Sequence, residues 1–209
     1  MSKKEKTKQA EKAREEEEEQ LPPELRARRE TYDWIQSLIV ALIICVCVFS
    51  FFVRVIDVSG SSMNPTLYNG DKMLVSGLFY KPKQGDIVVF RSDTYDPNKA
   101  LVKRVIATEG QEINIDFDKG IVYIGEKDPE TGEDIVTVLD EPYIAEATHR
   151  KLDFLGPKTV PEGCVFVMGD NRNASTDSRK SEIGMVDTRT IVGRVYCVIF
   201  PLDELGLVK

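Results

Sequence analysis

Histidine is almost absent: His149 is the single one in 209 residues. Metal centres built on two or more imidazoles cannot be assembled within one such chain, and no metal site or cofactor is expected. A hydroxyl nucleophile would also have to find a base other than imidazole. Cysteine is sparse: the four thiols form no C-x-x-C pair, and Cys45 and Cys47 lie in an apolar run where they act as small hydrophobes. Cys164 and Cys197 remain, and their spacing leaves pairing open. Positive charge is not in surplus either. A net charge of -7 lacks the basic balance that phosphate neutralisation favours, so no nucleic-acid partner is expected.

What is present is unevenly distributed. Residues 1–33 hold nine Lys or Arg and ten Asp or Glu, with the run Glu15 to Glu19 and few aliphatic residues to bury. Such a segment reads as a solvated tail, disordered or transiently helical, with Pro22 and Pro23 breaking any helix attempted there. From Trp34 to Val53 twenty residues carry no charge. A helix of that length spans roughly 30 Å, the thickness of a bilayer's hydrocarbon core. A transmembrane helix over 34–53 is the expectation, with Trp34 at one interface and Phe51 and Phe52 at the other. No A-x-A-like site follows, so the span is expected to be retained rather than cleaved as a signal peptide. Arg26, Arg28 and Arg29 precede the span, whereas Arg54 and Lys72 alone follow within twenty residues. That bias predicts a single-pass protein of the cell membrane, N-terminus cytoplasmic and residues 54–209 outside.

The outer segment reads as mainly β. Short β-branched runs at 71–76, 85–90, 101–108, 112–117, 120–125, 134–139, 164–169 and 190–200 are separated by turn signals such as Asn69-Gly70 and Lys119-Gly120. No long helical period intervenes, which predicts a compact, mostly antiparallel β domain. Residues 126–159 are polar and irregular apart from one run, and read as an excursion from the core.

Three elements in this domain carry chemistry. The first is VSGSSMNPTL at 58–67, where Gly60 and Pro65 shape a turn that could present a serine hydroxyl. Ser62 follows the span by nine residues, within about 30 Å of its end even if fully extended. The second is Lys103 in LVKRVIAT. On a strand, Leu101, Lys103 and Val105 share one face, while Val102, Arg104 and Ile106 share the other. A lysine with its ordinary pKa near 10.4 is neutral about once in 2,500 at pH 7, a cost of about 4.6 kcal/mol. An apolar setting lowers that cost, which is what serine activation without histidine requires. The third is VFVMGDNRNASTDSR at 165–179, an apolar strand running into a loop with Asp170, Arg172, Asp177 and Arg179. It reads either as a self-bracing ion-pair loop or as one whose Ser175 orients the lysine amine.

Taken in this order after one span, these stretches resemble the type I signal peptidases, or leader peptidases, in a Gram-positive-like form. The match is carried by the span, Gly60 to Thr66, Gly85 to Phe90, Val102-Lys103-Arg104-Val105, and Gly169 to Arg172 with Ser175, Asp177, Ser178 and Arg179. The resemblance implies a Ser-Lys dyad serine protease that removes signal peptides from secretory preproteins after small residues. It implies Ser62 as nucleophile rather than Ser59 or Ser61, Lys103 as general base, Ser175 as its hydrogen-bonding positioner, and Asp177 and Arg179 as supports. Val58, Met63 and Val102 would line the substrate pockets. Membrane lipid and the protein translocation machinery are the implied surroundings. Two departures stand out: Gly60 occupies the place where some members carry a second oxyanion donor, and Asn173-Ala174 replaces an Asp-Asn of other members. A peptide-binding module without catalysis, or a self-cleaving Ser-Lys protease, would share parts of this pattern.

Overall fold

The computed structural model describes residues 22–208 except 93, 129 and 130, and the expected disordered tail over 1–21 lies outside the described residues. Among the described residues the first element is a helix, α1 (Pro23–Phe52), which begins earlier than the apolar run. Residues 23–33, expected as part of the tail, are thus helical. Pro23 stands at the first helical position, where its missing N–H breaks no bond, so proline starts this helix instead of interrupting it. Within it Ala27–Cys47 is long and apolar enough to cross a membrane. Trp34 is 80% exposed, and no described residue of that window is buried.

The rest of the chain is a β unit. Its strands are β1 (Arg54–Asp57), β2 (Lys72–Ser76), β3 (Ile87–Ser92), β4 (Asp96–Thr108), β5 (Glu112–Asp116), β6 (Ile121–Lys127), β7 (Asp134–Val138), β8 (Lys158–Thr159), β9 (Cys164–Met168), β10 (Val186–Asp187), β11 (Ile191–Phe200) and β12 (Gly206–Leu207). Every pairing is antiparallel. One sheet runs β1-β2-β11-β3-β4-β9-β10 with β12 beside β11, and a second runs β7-β6-β5-β8.

Alternation along the strands sorts the apolar side chains into three clusters. Ile87 and Val89 point into one cluster with Met63, Leu67, Met73 and Val195, whereas Val88 and Phe90 point into another with Val105 and Val167. The third joins the sheets through Ile106, Ile113, Ile124, Phe154 and Phe166. There Phe154 packs edge-on against both Phe117 and Phe166, at 5.9 and 5.7 Å between centroids.

The 126–159 stretch divides in two. All of β7 is exposed, but Thr148 and Phe154 are fully buried. A polar, irregular sequence returns to the core here because one aromatic and a few hydrogen-bonding groups find buried partners. Cys164 and Cys197 are free thiols.

Candidate active site

The loop that carries Ser62 is held by what flanks the serine. Met63 and Leu67 are buried, and the N–H groups of Thr66 and Leu67 both donate to the Met63 carbonyl, at 2.9 and 3.0 Å. With its neighbour inserted into the core, Ser62 is left half-buried at the turn. Gly60 enters that turn at φ +95°, a conformation that costs glycine little and other residues more. A side chain there would meet nothing within 4 Å, so backbone conformation rather than space explains the glycine. No second oxyanion donor comes from this position.

Lys103 lies on β4 opposite Val88 of β3 and is 3% exposed. Its Nζ donates to Ser62 Oγ at 2.8 Å and to the Val102 carbonyl at 2.8 Å. Burial, the largest influence, pulls its pKa from 10.5 down to about 8, against the opposing carboxylates of Asp177 and Asp170. Neutral amine then rises from about one molecule in thousands to about one in ten at pH 7.

Around the pair stands a shell of buried ions. Asp177 receives Arg179 Nε at 2.8 Å and Nη2 at 2.9 Å, and accepts the Gly169 N–H at 3.1 Å. Burial works to raise the pKa of Asp177, but the Arg179 hydrogen bonds and charge prevail and hold it below the ordinary carboxylate range. Arg179 also donates to the carbonyls of Arg150 and Arg172, tying the loop to the segment after β7. Ser175 is fully buried, and its Oγ makes no hydrogen bond of ordinary geometry, though it adds weakly to the ionisation of Asp177. Gly169 lies between the two serines: a Cβ there would fall 2.3 Å from Ser175 Oγ and 2.4 Å from the Ser62 carbonyl oxygen. The Asn171 N–H donates to that same carbonyl at 3.1 Å, and its Nδ2 to the Ser61 carbonyl at 3.0 Å.

Several members of this shell escaped the sequence reading. Arg104, next to the lysine, is 1% exposed and clamps Asp170 through Nε at 2.8 Å and Nη2 at 2.7 Å. Asp170 in turn accepts Thr66 Oγ1 at 2.5 Å, which fastens the serine turn to the strand. Arg172 forms two bonds to Glu141 and one to Thr148 Oγ1 at 3.0 Å. A signal existed in the pair Lys103-Arg104, two adjacent cations inside an otherwise apolar strand, since alternation sends them to opposite faces. Nothing in the local pattern marked Glu141 and Tyr143.

A chain with this Ser-Lys contact and this loop order has relatives. A family model described as "Signal peptidase, peptidase S26" matches residues 31–200. The chain belongs to that family. As a member it is an enzyme, a serine endopeptidase of the signal peptidase type. It is similar to signal peptidase I of Bacillus licheniformis, at 34% identity over 83% of this chain and 91% of that protein. Signal peptidase IB of Staphylococcus aureus strain Mu50 is 31% identical over 85% of this chain and 93% of its own length. A crystal structure of signal peptidase I from Enterococcus faecalis V583 matches with 29% identity and a TM-score of 0.42, covering 55% of this chain and 97% of that one.

Of the residues named as pocket lining by resemblance to signal peptidases, Val58 and Met63 are buried at 6% and 1% in one cluster, and Val102 packs at its margin partly exposed. They can offer a shallow apolar floor, not a deep cavity. Beside them β4 is only half paired. Its residues Ala100 to Arg104 bond to β3 on one side, while β9 joins the other side only from Arg104 onward.

Proposed function

We propose that the chain is a single-pass, membrane-anchored signal peptidase that frees secretory preproteins from their signal peptides through a Ser62–Lys103 dyad. The observation that carries this reading is the 2.8 Å contact between Lys103 Nζ and Ser62 Oγ, with the lysine buried.

Neutral Lys103 takes the Ser62 proton as Oγ attacks the scissile carbonyl, and the oxyanion receives the Ser62 backbone N–H. The resulting ammonium gives its proton to the leaving amine, the new N-terminus of the mature protein. Water, deprotonated by the same amine, then hydrolyses the acyl-enzyme and restores the serine. To Ser175, a buried hydroxyl without a hydrogen-bond partner among the described residues, we assign the steadying of the amine, and to Asp177 with Arg179 the keeping of the loop in register. An extended substrate adds as a strand to the free side of β4 at residues 100–103, main chain to main chain. Val58, Met63 and Val102 then leave room only for small side chains before the cut. The arginines before the span place the N-terminus in the cytoplasm and the β unit outside, beside lipid and the translocation machinery that delivers the substrate.

The test is cleavage of a purified preprotein by the full-length chain in detergent, read by fragment mass across pH. We expect a cut after a small residue and a rate that climbs tenfold per pH unit on the acid side, levelling near pH 8, because the charged amine is inactive and its pKa is depressed to about 8. Binding without cleavage would favour a peptide-holding module, and a rate independent of pH between 6 and 9 would remove the lysine from the mechanism.

A further inference from the structure

The segment that follows β7 reaches the catalytic loop through one aromatic ring. The Tyr143 ring lies under the Arg104 guanidinium, 3.9 Å from carbon to centroid, and 5.8 Å from that of Arg172. Its hydroxyl donates to Glu141 Oε1 at 3.1 Å, and Glu141 is the carboxylate that holds Arg172. Two buried cations are therefore spaced by one π face and one carboxylate, both supplied from outside the serine, lysine and loop motifs. An aromatic face attracts a guanidinium most where water is excluded, and both arginines are 1% exposed.

Each cation leads to the nucleophile. Arg104 fixes Asp170, Asp170 holds Thr66 of the serine turn, and Asn171 beside it holds the Ser61 and Ser62 carbonyls. Arg172 bonds the Gly169 carbonyl at 3.1 Å, and Gly169 is wedged between Ser62 and Ser175. The Ser62 peptide that must turn its N–H to the oxyanion is thus set by a chain of contacts that starts at Tyr143.

We propose that Tyr143 is a positioning residue for catalysis: with Glu141 it spaces Arg104 and Arg172, and so fixes the loop that orients Ser62. The proposal rests on Ser62 being the nucleophile. Because Tyr143 acts through Arg104 and Arg172, its loss should slow the chemical step and leave binding along β4 nearly unchanged.

The experiment compares full-length wild type with Tyr143→Phe, Tyr143→Leu, Glu141→Gln and Ser62→Ala on one preprotein, with thermal unfolding of each. Tyr143→Leu should lower kcat at least tenfold with KM within twofold, in a protein that still melts cooperatively. Tyr143→Phe keeps the ring and should recover kcat to within threefold of wild type. Glu141→Gln keeps the shape, weakens the hold on Arg172, and should lower kcat about fivefold, which serves if Tyr143→Leu does not fold. A kcat unchanged in Tyr143→Leu, or in Glu141→Gln where that variant stands in, overturns the proposal, as does a fall in Tyr143→Phe equal to that in Tyr143→Leu. With Ser62→Ala silent, such a result removes the Tyr143 role alone; if Ser62→Ala still cleaves, the dyad reading fails and the Tyr143 proposal falls with it.

Discussion

Ser62→Ala and Lys103→Met should each lower kcat/KM by about 10³- to 10⁴-fold, and the double variant should be no worse than either single one. The non-additivity follows from the proposed dyad, in which a hydroxyl and an amine 2.8 Å apart act on one proton and neither works alone. Methionine is the informative replacement for lysine: it keeps the unbranched stem in the apolar site and deletes the ionisable group. Lys103→Arg should fail as fully, since a guanidinium stays charged. The two Lys103 variants should diverge in stability. The folded-state pKa lies below that of the unfolded chain, so the charged amine destabilises the fold. That penalty is full below pH 8 and relieved as pH rises from about 8 to 10.5. At 1.36 kcal/mol per unit it is about 3 kcal/mol, so Lys103→Met should melt higher than wild type at pH 7 and no higher at pH 10.5. Single-turnover cleavage with parallel thermal melts at the two pH values checks both halves. Equal rates in wild type and Lys103→Met would show that the base is elsewhere.

Gly169→Ala should cost about 100-fold in kcat/KM, more than any other change of one methyl group around the dyad. The added carbon would overlap Ser175 Oγ at 2.3 Å, the Ser62 carbonyl oxygen at 2.4 Å and Ser175 Cβ at 2.6 Å. One of these contacts is backbone, so no rotamer change relieves all three. The loop must retreat, and the Asn171 bond to the Ser62 carbonyl stretches with it. Overpacking of this kind costs about 1–3 kcal/mol, so the variant should fold and melt lower. Gly206→Ala, where no positive φ demands glycine and an added carbon meets nothing nearer than 3.8 Å, controls for loss of glycine as such. If Gly169→Ala keeps wild-type kcat/KM, the loop is less confined than its contacts imply.

Much of this was legible in the sequence, and the reasons differ by residue. The strands were readable because Val, Ile and Phe recur in short runs bounded by Gly and Pro, and eight of the twelve strands fall on those runs. The remaining four have two to four residues each, too short for any pattern. The helix start was misjudged because Pro23 was weighed as a breaker, while its position in the helix decides its effect. Lys103 stood out as a cation among β-branched residues. Alternation put Arg104 only on the face opposite that lysine, and its burial became visible only with Asp170, which lies sixty-six positions away. Glu141 and Tyr143 sit in a stretch whose composition says loop. Their partners are arginines on other elements, and a one-dimensional pattern holds no record of such meetings.

On the docking proposed above, the half-paired β4 would make conformation the first filter that a passing polypeptide meets. A strand whose outer row of N–H and C=O groups awaits partners can dock only a chain that offers a matching row, and a helix has already committed its own row internally. The apolar stretch of a membrane-bound leader, once helical, would be invisible to the enzyme over its whole length. Reading could begin only where the helix ends, so the site of cutting would be measured from the end of that helix as much as from the side chains that follow.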